Sequence, residues 1–283
     1  MLAAHPQIVP DGPALTGTCD ALVLGPGLDA QKADWEAAAQ LLENTPAVID
    51  ASALEPVCAL VKEGKLRLRA HHILTPHDGE LARCLNLFAG TNTGEIAGKL
   101  ADKADKPLGK FASQTSPALQ RRIQGAQQLA ALTGACVLAK GNRTVVVDAK
   151  AQVHTLPAAT PWLATAGSGD VLAGLMGGLL ALNVRAGAES GGGVDAQGQG
   201  TTVASAAALA PEIAQLAARL HALAGQLAAE AAGPKPAEVT GPKTTYASEP
   251  KPTDAVVAHP ITAPEIAAAI PNAWALYASA AAN

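Results

Sequence analysis

Residues 21–50, ALVLGPGLDAQKADWEAAAQLLENTPAVID, contain two short apolar runs on either side of a stretch with helical periodicity. We predict strands over 21–24 and 47–50 and a helix over 29–42, with the turn Gly25-Pro26-Gly27 closing the first strand. Short apolar strands that alternate with helices are typical of a parallel sheet covered by helices. The stretch therefore predicts an α/β fold.

The same alternation continues along the chain. Further strands are predicted over 73–74, 136–140, 144–148 and 152–156, and further helices over 54–62, 79–87, 117–132, 169–182, 203–232 and 262–270. Only short links separate the last three strands, which favours antiparallel pairing at one edge. The prediction is a mostly parallel central sheet flanked by helices, with an antiparallel edge.

Two segments interrupt this pattern. Residues 186–200 are rich in glycine, and residues 233–259 contain many Pro, Lys, Glu and Thr residues without any period. Both compositions are typical of flexible chain. We predict a single domain over residues 1–283 with flexible insertions near 186–200 and 233–259, and we interpret residues 90–116 as a surface excursion.

The composition excludes several classes of protein. Apolar residues make up 49% of the 283 but aromatic residues only 2%, so the core must be aliphatic. The net charge is −4 with no basic block, which argues against a nucleic-acid partner. The four cysteines are widely spaced, which favours free thiols over a disulfide framework or a zinc site.

No feature of the sequence predicts export or a membrane partner. The first ten residues lack a charged region followed by an apolar run. The longest apolar stretch, 171–182, is shorter than the roughly 20 residues that span a bilayer. We predict a cytoplasmic protein without a membrane or nucleic-acid partner, and we leave a homo-oligomer open.

The first candidate for chemistry is a glycine-rich turn before an apolar helix, Gly167-Ser168-Gly169-Asp170. Such a turn points backbone N–H groups at one spot, and these groups bind phosphate together with the positive end of the helix. Asp170 is suited to take a proton from a substrate hydroxyl during phosphoryl transfer. The alternative is a tight turn with Asp170 as an ordinary residue of the first helical turn.

Three more candidates lie where predicted strands end. The segment KGNRT at 140–144 is either an ordinary β-turn or a loop that touches nucleotide phosphates. The segment TPHDGE at 75–80 follows a strand at the position where open α/β sheets bind ligands. Its Glu80 either holds Mg²⁺ through water or belongs, with Asp78, to an ordinary helix start. The segment GPGL at 25–28 is a turn or a close backbone approach to a ligand.

The order of these motifs is more specific than any one of them. GPGL at 25–28, DASAL at 50–54, TPHDGE at 75–80, KGNRT at 140–144 and ATAGSGD at 164–170 together resemble the NAD(P)H-hydrate dehydratase family. The segment LHALAG at 220–225 and residues 261–274 resemble later parts of that family. The resemblance covers roughly residues 18–183 and 204–275.

The resemblance implies a ribokinase-like fold and a lyase that repairs hydrated NADH or NADPH, here abbreviated NAD(P)HX, with ADP or ATP and Mg²⁺. It implies that the hydroxyl of the hydrated carbon is phosphorylated and that phosphate then leaves to restore the double bond. Asp170 would deprotonate the hydroxyl, and Glu80 would lie near Mg²⁺ through water. The implied nucleotide contacts are Lys140, Gly141, Asn142, Arg143, Thr144, Gly167, Ser168 and Gly169, and the implied substrate contacts are Gly27, His77 and Asp170.

Three departures from the family pattern bear on this expectation. Asp29 stands where the family usually has Gly, and Ser52 stands where it usually has a second acid. The family also has a Gly-rich loop, strands and helices before its GPGL strand, whereas residues 1–20 alone precede that strand here. We therefore expect an N-terminally truncated domain.

Two other functions are compatible with the same residues. A ribokinase-like small-molecule kinase would use the same turn and Asp170, although the TPHDGE and KGNRT segments favour the dehydratase. A chain that lacks part of the sheet would instead bind nucleotide without turnover.

Overall fold

The computed structural model describes residues 19–89, 116–189, 201–231 and 260–281. These residues form two compact units. One contains the described residues up to Ala158 together with Leu172–Ala217, and the other contains Ala159–Val171 together with the described residues from Ala218 onward. The single domain over 1–283 stays a prediction. The predicted surface excursion and flexible insertions fall mostly outside the described residues.

The first unit is built on a six-stranded sheet. Its strands are β1 (Leu22–Leu24), β2 (Ala47–Ile49), β3 (His72–Leu74), β4 (Cys136–Ala139), β5 (Arg143–Val147) and β6 (Val153–Ala158), and its helices include α1 (Trp35–Asn44), α2 (Leu54–Lys62), α3 (Asp78–Phe88) and α4 (Pro117–Thr133). The strands lie in the order β1-β2-β3-β4-β5-β6; β1 to β4 are parallel, and β5 and β6 pair antiparallel. The predicted mostly parallel sheet with an antiparallel edge is confirmed.

The central strands are apolar along their length, so both faces of the sheet can be covered. Every residue of β2, β3 and β4 is buried, which is the pattern of strands between two layers of helix. Leu42, Leu54 and Leu129, from three of the helices, are fully buried in the same core cluster. Burying one such side chain stabilises the fold by about 1.5–3 kcal/mol. The four cysteines are free, as the sequence predicts.

Helix α1 begins at Trp35 rather than at the predicted position 29. Asp29 instead closes a turn, in which its Oδ1 accepts a hydrogen bond from the Gln31 amide at 3.1 Å. The helix is capped by Asp34, whose carboxylate accepts from the amides of the second and third helical residues. A carboxylate that satisfies these amides fixes the first residue of a helix. The prediction chose the wrong aspartate of the two.

Helices α5 (Ser168–Glu189) and α6 (Thr201–Ala231) contain residues of both units. Helix α5 continues beyond the predicted end at 182 and includes residues 186–189 of the predicted insertion, whose flexibility stays a prediction. Two contacts lie in its last turns. The Asn183 side-chain amide donates to the Leu179 carbonyl at 2.8 Å, and Arg185 forms an ion pair with Asp20, near the first strand.

The length of α5 also changes the argument about membranes. Over Ser168–Ala186 the helix is long and apolar enough to cross a bilayer by length and composition alone. The apolar helix in the structure is therefore longer than the predicted apolar stretch 171–182. Of its apolar window 33% is buried in the fold, including Leu172, Met176 and Leu180. The absence of a membrane partner stays a prediction.

In the second unit, helix α7 (Ala263–Ala281) continues past its predicted end at 270 and through Pro271. The amide and hydroxyl of Thr262 both donate to the Glu265 carboxylate, at 2.7 and 2.8 Å, which ties the residue before the helix to its first turn. Proline removes one helical amide donor. The alanine-rich sequence on both sides favours helix, and Ala273 beyond the proline is buried in the core of this unit.

Two histidines at the amino end of β3 are buried. His71 is 2% exposed and His72 is 0% exposed. His72 accepts from the Arg69 amide through Nδ1 and donates to the Leu42 carbonyl through Nε2, both at 2.8 Å. The Nε2 of His71 has no hydrogen-bond partner among the described residues. Burial lowers the pKa of His71 to about 3 and that of His72 to about 4, so both rings are neutral near neutral pH.

Candidate active site

The first candidate region lies at the carboxyl ends of strands β1 to β4. The Asp50 amide donates to the Leu24 carbonyl at 3.0 Å, and the Lys140 amide donates to the Pro76 carbonyl at 2.8 Å. These bonds continue the parallel pairing past the strand ends, which brings together residues that are 90 positions apart in the chain. We call Asp50, Glu80 and Lys140 the carboxyl-edge cluster.

The carboxyl-edge cluster pairs one ammonium group with two acids. Asp50 is 1% exposed, and its Oδ1 lies 2.5 Å from Lys140 Nζ. The Oε2 of Glu80, which is also buried, lies 3.8 Å from the same nitrogen. A buried carboxylate without a partner would cost several kcal/mol, so Lys140 is required where it stands. Its contacts in the described chain are with these acids, and a phosphate contact stays a prediction.

His77 and Glu80 form a reciprocal cap at the start of α3. The Nδ1 of His77 accepts from the amides of Gly79 and Glu80, at 3.0 and 3.4 Å, and the His77 amide donates to Glu80 Oε2 at 2.8 Å. The neutral ring therefore carries its proton on Nε2, which lies 3.6 Å from Glu80 Oε1. The ordinary helix-start interpretation accounts for Glu80. His77 itself is exposed, as a substrate contact requires.

Glu80 does not fit direct coordination of Mg²⁺. One of its oxygens accepts from the His77 amide and lies near Lys140, and the other faces the His77 ring. The described residues contain no group of three or more His, Cys, Asp or Glu side chains arranged to hold a metal ion. This donor set suits a cation that arrives on nucleotide phosphates and keeps most of its water.

The GPGL turn after β1 is held by Ser52. Gly25 has φ +122° and lies so close to the Asp50 carbonyl that a Cβ would collide with it, so only glycine fits. The Ser52 hydroxyl lies 2.8 Å from the carbonyls of both Gly25 and Leu28, and its single proton is donated to one or the other. An ionised acid, usual in the family at this position, has no proton to donate. The departure at Ser52 therefore changes how the turn is fixed.

The predicted nucleotide loop 140–144 consists of the connection 140–142 between the antiparallel strands β4 and β5 and the first two residues of β5. Asn142 and Arg143 at its tip are exposed. Helix α4 supplies a contact that sequence reasoning missed, because the Nη1 of Arg122 donates to the Arg143 carbonyl at 2.9 Å. Nothing in the sequence distinguishes this arginine from the others on helical faces.

The second candidate region is the start of α5, which we call the helix-start cluster: Gly167, Ser168, Gly169, Asp170 and His221. The Ser168 amide donates to the carbonyl of residue 165 at 3.2 Å, and the first helical bond runs from the amide of residue 171 to Gly167 at 3.1 Å. Asp170 is exposed in the first helical turn, and both glycines are partly exposed. The amides of an α-helix start lack partners within the helix, so this geometry suits an anion.

Ser168 points away from solvent and is supported by His221. The Ser168 hydroxyl and His221 Nε2 lie 3.2 Å apart, and both residues are buried. Burial lowers the pKa of His221 to about 4, opposed by a hydrogen bond to the Ser168 backbone, so the ring is neutral near neutral pH. Sequence reasoning gave His221 only a place in a family-like segment. The Ser168 side chain therefore shapes the turn from inside. The predicted nucleotide contact of this residue stays a prediction.

The predicted site residues divide by exposure. Those with solvent access are Gly27, His77, Lys140, Gly141, Asn142, Arg143, Thr144, Gly167, Gly169 and Asp170, and those that are buried are Glu80 and Ser168. The structure brings Lys140, Glu80 and His77 together in one unit, and Gly167 to Asp170 in the other. Asp50, Arg122 and His221 complete these groups and were not among the predicted site residues.

Comparisons with known proteins point in one direction. The sequence profile of a family described as NAD(P)H-hydrate dehydratase matches residues 11–240. A bifunctional NAD(P)H-hydrate repair enzyme, Nnr, from Mycobacterium tuberculosis is 34% identical over 189 residues, which are 66% of this chain and 34% of that protein. An ADP-dependent (S)-NAD(P)H-hydrate dehydratase from Neisseria meningitidis is 31% identical over 191 residues, 65% of this chain and 56% of that protein.

The chain spans about a third to about a half of the length of these relatives. Among solved structures, an ADP/ATP-dependent NAD(P)H-hydrate dehydratase from Bacillus subtilis, co-crystallised with ATP/Mg²⁺, superposes with a TM-score of 0.51. It is 22% identical and covers 93% of this chain and 66% of that one, so it supports the fold. The predicted ribokinase-like fold class and the predicted family are confirmed.

Proposed function

Because the chain belongs to the NAD(P)H-hydrate dehydratase family, we propose that it converts NAD(P)HX to NAD(P)H with consumption of ADP or ATP. The observation that carries the proposal is Asp170, an exposed acid in the first turn of α5 directly after a glycine-rich turn. This pairing of an anion-binding helix start with a base suits phosphoryl transfer to a hydroxyl.

The proposed chemistry uses Asp170 as the general base. Asp170 takes the proton of the hydroxyl on the hydrated nicotinamide ring, while the hydroxyl oxygen attacks the terminal phosphorus of the nucleotide. A new O–P bond forms, and the bond between that phosphorus and the bridging oxygen breaks. The C–O bond then breaks, inorganic phosphate leaves, and loss of a ring proton restores the double bond. A positioned base of this kind contributes about 10²–10⁴ in rate.

The remaining residues are proposed to bind and orient. The amides of Gly167 and Gly169 hold the transferring phosphoryl group, and the exposed loop 140–144 contacts the nucleotide. Gly27 and His77 contact the hydrated dinucleotide, since both are exposed at the carboxyl edge of the sheet. Mg²⁺ neutralises phosphate charge when bound, and the poor fit of Glu80 to direct coordination leaves only a contact through water. A cytoplasmic location is part of the same proposal.

One assay separates this function from its two competitors. The chain is mixed with NADHX, Mg²⁺ and either ADP or ATP, and the products are followed by ³¹P NMR and by the absorbance of NADH. Inorganic phosphate together with NADH is the expected result. A stable phosphate ester without NADH would establish a kinase instead. A rise in melting temperature with nucleotide but no product would identify a chain that binds without turnover.

A further inference from the structure

The side chain of Arg122 makes three directed bonds at one end of the first unit. Its Nε and Nη2 donate to the two carboxylate oxygens of Asp78, at 2.7 and 2.6 Å, and its Nη1 donates to the Arg143 carbonyl at 2.9 Å. Such a two-pronged pair fixes orientation as well as distance. The Arg122 side chain is only 10% exposed. One guanidinium thus ties the start of α3 to the loop between β4 and β5.

The loop is shaped to receive this guanidinium. A Cβ added at Gly141 would collide with the guanidinium of Arg122. The guanidinium cannot move aside without breaking bonds that it makes to Asp78 and Arg143. A side chain at position 141 would therefore displace the guanidinium of Arg122, which comes from a different helix.

The same loop begins with Lys140, the only cation of the carboxyl-edge cluster. Lys140 is held by its amide bond to the Pro76 carbonyl and by its ion pair with Asp50. Arg122 fixes the other end of the turn, three residues later, and also binds Asp78, which lies two residues after Pro76. The attachments at Lys140 and at Arg143 thus hold the turn between β4 and β5 against the segment that links the end of β3 to the start of α3.

We propose that Arg122, with Asp78 and Gly141, is a positioning unit that sets the loop 140–144 and keeps the Lys140 ammonium on Asp50. Each of the three guanidinium nitrogens donates to a protein group, and on this ground we assign Arg122 a role that acts through the loop. The consequence for nucleotide binding rests on the proposed function. The consequence for Lys140 does not, because it concerns the chain without ligand.

The ligand-free test is the rate at which an amine-acylating reagent modifies Lys140, read by mass spectrometry against the exposed Lys65 in the same chain. Arg122→Ala and Gly141→Ala should each speed the modification of Lys140 by a factor of about 5–150, the range found for coupled sites. The double variant should be no faster than either single variant, because both changes remove the same contact. Arg83→Ala is the matched control. Arg83 pairs with Glu55, at 2.5 Å between Nε and Oε1, and its loss should leave the modification rate of Lys140 unchanged.

The second readout is the KM for ADP. Arg122→Ala should raise it by up to about a hundredfold, as displaced binding groups do, with little change in the KM for NADHX. Unchanged Lys140 reactivity in folded Arg122→Ala, or additive effects in the double variant, would overturn the proposal. If Arg122→Ala does not fold, folded Gly141→Ala decides alone by the same measurement. If the wild-type chain binds no nucleotide, the proposed function fails while Lys140 reactivity still decides this inference.

Discussion

In the carboxyl-edge cluster, a buried aspartate and a buried glutamate share one lysine, whereas in the helix-start cluster the acid is exposed and the buried group is a neutral histidine. The first arrangement binds its charges to one another, and removing one leaves the others uncompensated. The second leaves a carboxylate exposed to solvent, next to a turn that the buried Ser168 and His221 hold from inside. The difference separates residues that hold the fold in register from residues suited to proton transfer.

The largest expected effect comes from replacing Asp170 and Asp50, one at a time, by asparagine. Asp170→Asn should lower kcat for dehydration by about 10²–10⁴, because a general base is lost, while the melting temperature and the Kd for ADP stay near those of the wild type. Asp50→Asn should show the opposite pattern: a lower melting temperature with a much smaller change in kcat. Steady-state kinetics and thermal unfolding of both variants provide the measurement. Wild-type turnover by Asp170→Asn would refute the role of that residue.

Lys140→Met should be the most destabilising change within the carboxyl-edge cluster. It leaves Asp50 buried without its cation, which costs about 3–5 kcal/mol in comparable pairs. Denaturant unfolding measures the loss. The double variant Asp50→Asn with Lys140→Met is the matched control and should recover much of it, since the buried charge is then gone. Equal loss in the single and double variants would mean that Lys140 does not serve to neutralise Asp50.

The buried histidines of the two units should make the free energy of unfolding depend on pH in the acid range. Burial lowers the pKa of His71 to about 3 and those of His72 and His221 to about 4, below the unfolded value of 6.5. Between these values the unfolded chain binds protons that the folded chain does not. The free energy of unfolding is therefore highest above about pH 6.5. It falls as the pH drops toward 4, by on the order of a few kcal/mol for each of the three rings.

The measurement is denaturant unfolding as a function of pH for the wild type, His71→Gln and His221→Gln. Each substitution removes one group that titrates only in the unfolded chain, so each should flatten the acid slope. An unchanged slope in His71→Gln would show that this ring is not held neutral in the folded protein. An unchanged slope in His221→Gln would show the same for the helix-start cluster.

The smallest effect is expected at the GPGL turn. Ser52→Ala removes the hydroxyl that donates to the Gly25 or the Leu28 carbonyl, which costs about 0.5–1.5 kcal/mol for a typical hydrogen bond. Ser52→Asp restores the acid that is usual in the family and should cost more, because the carboxylate faces two carbonyl oxygens. Denaturant unfolding compares the two. Greater stability in Ser52→Asp would contradict the assigned geometry.

Local pattern predicted the sheet well, because β1, β2, β4 and β5 are short, largely apolar runs that end at a glycine or a charged residue. The same pattern misplaced the start of α1, where the cap at Asp34 competes with Asp29, and the end of α7, which continues through Pro271. The predicted turns and Asp170 stand out in sequence because their residues are adjacent.

The partners that complete each site are distant in sequence and have no local signature. Arg122 meets Asp78 across 44 positions, and His221 meets Ser168 across 53. One arginine on an amphipathic helix and one histidine on an alanine-rich helix look like surface or packing residues until tertiary structure places them. Buried His71 escaped for the same reason, since burial at a strand end depends on what covers it.

The most direct test of the account is a crystal structure of the chain with ADP and Mg²⁺. The account predicts that a phosphate oxygen lies within about 3.2 Å of the Gly169 amide, with the Asp170 carboxylate open toward the transferring phosphorus. Phosphates bound away from the start of α5, with Asp170 engaged in an unrelated contact, would contradict it.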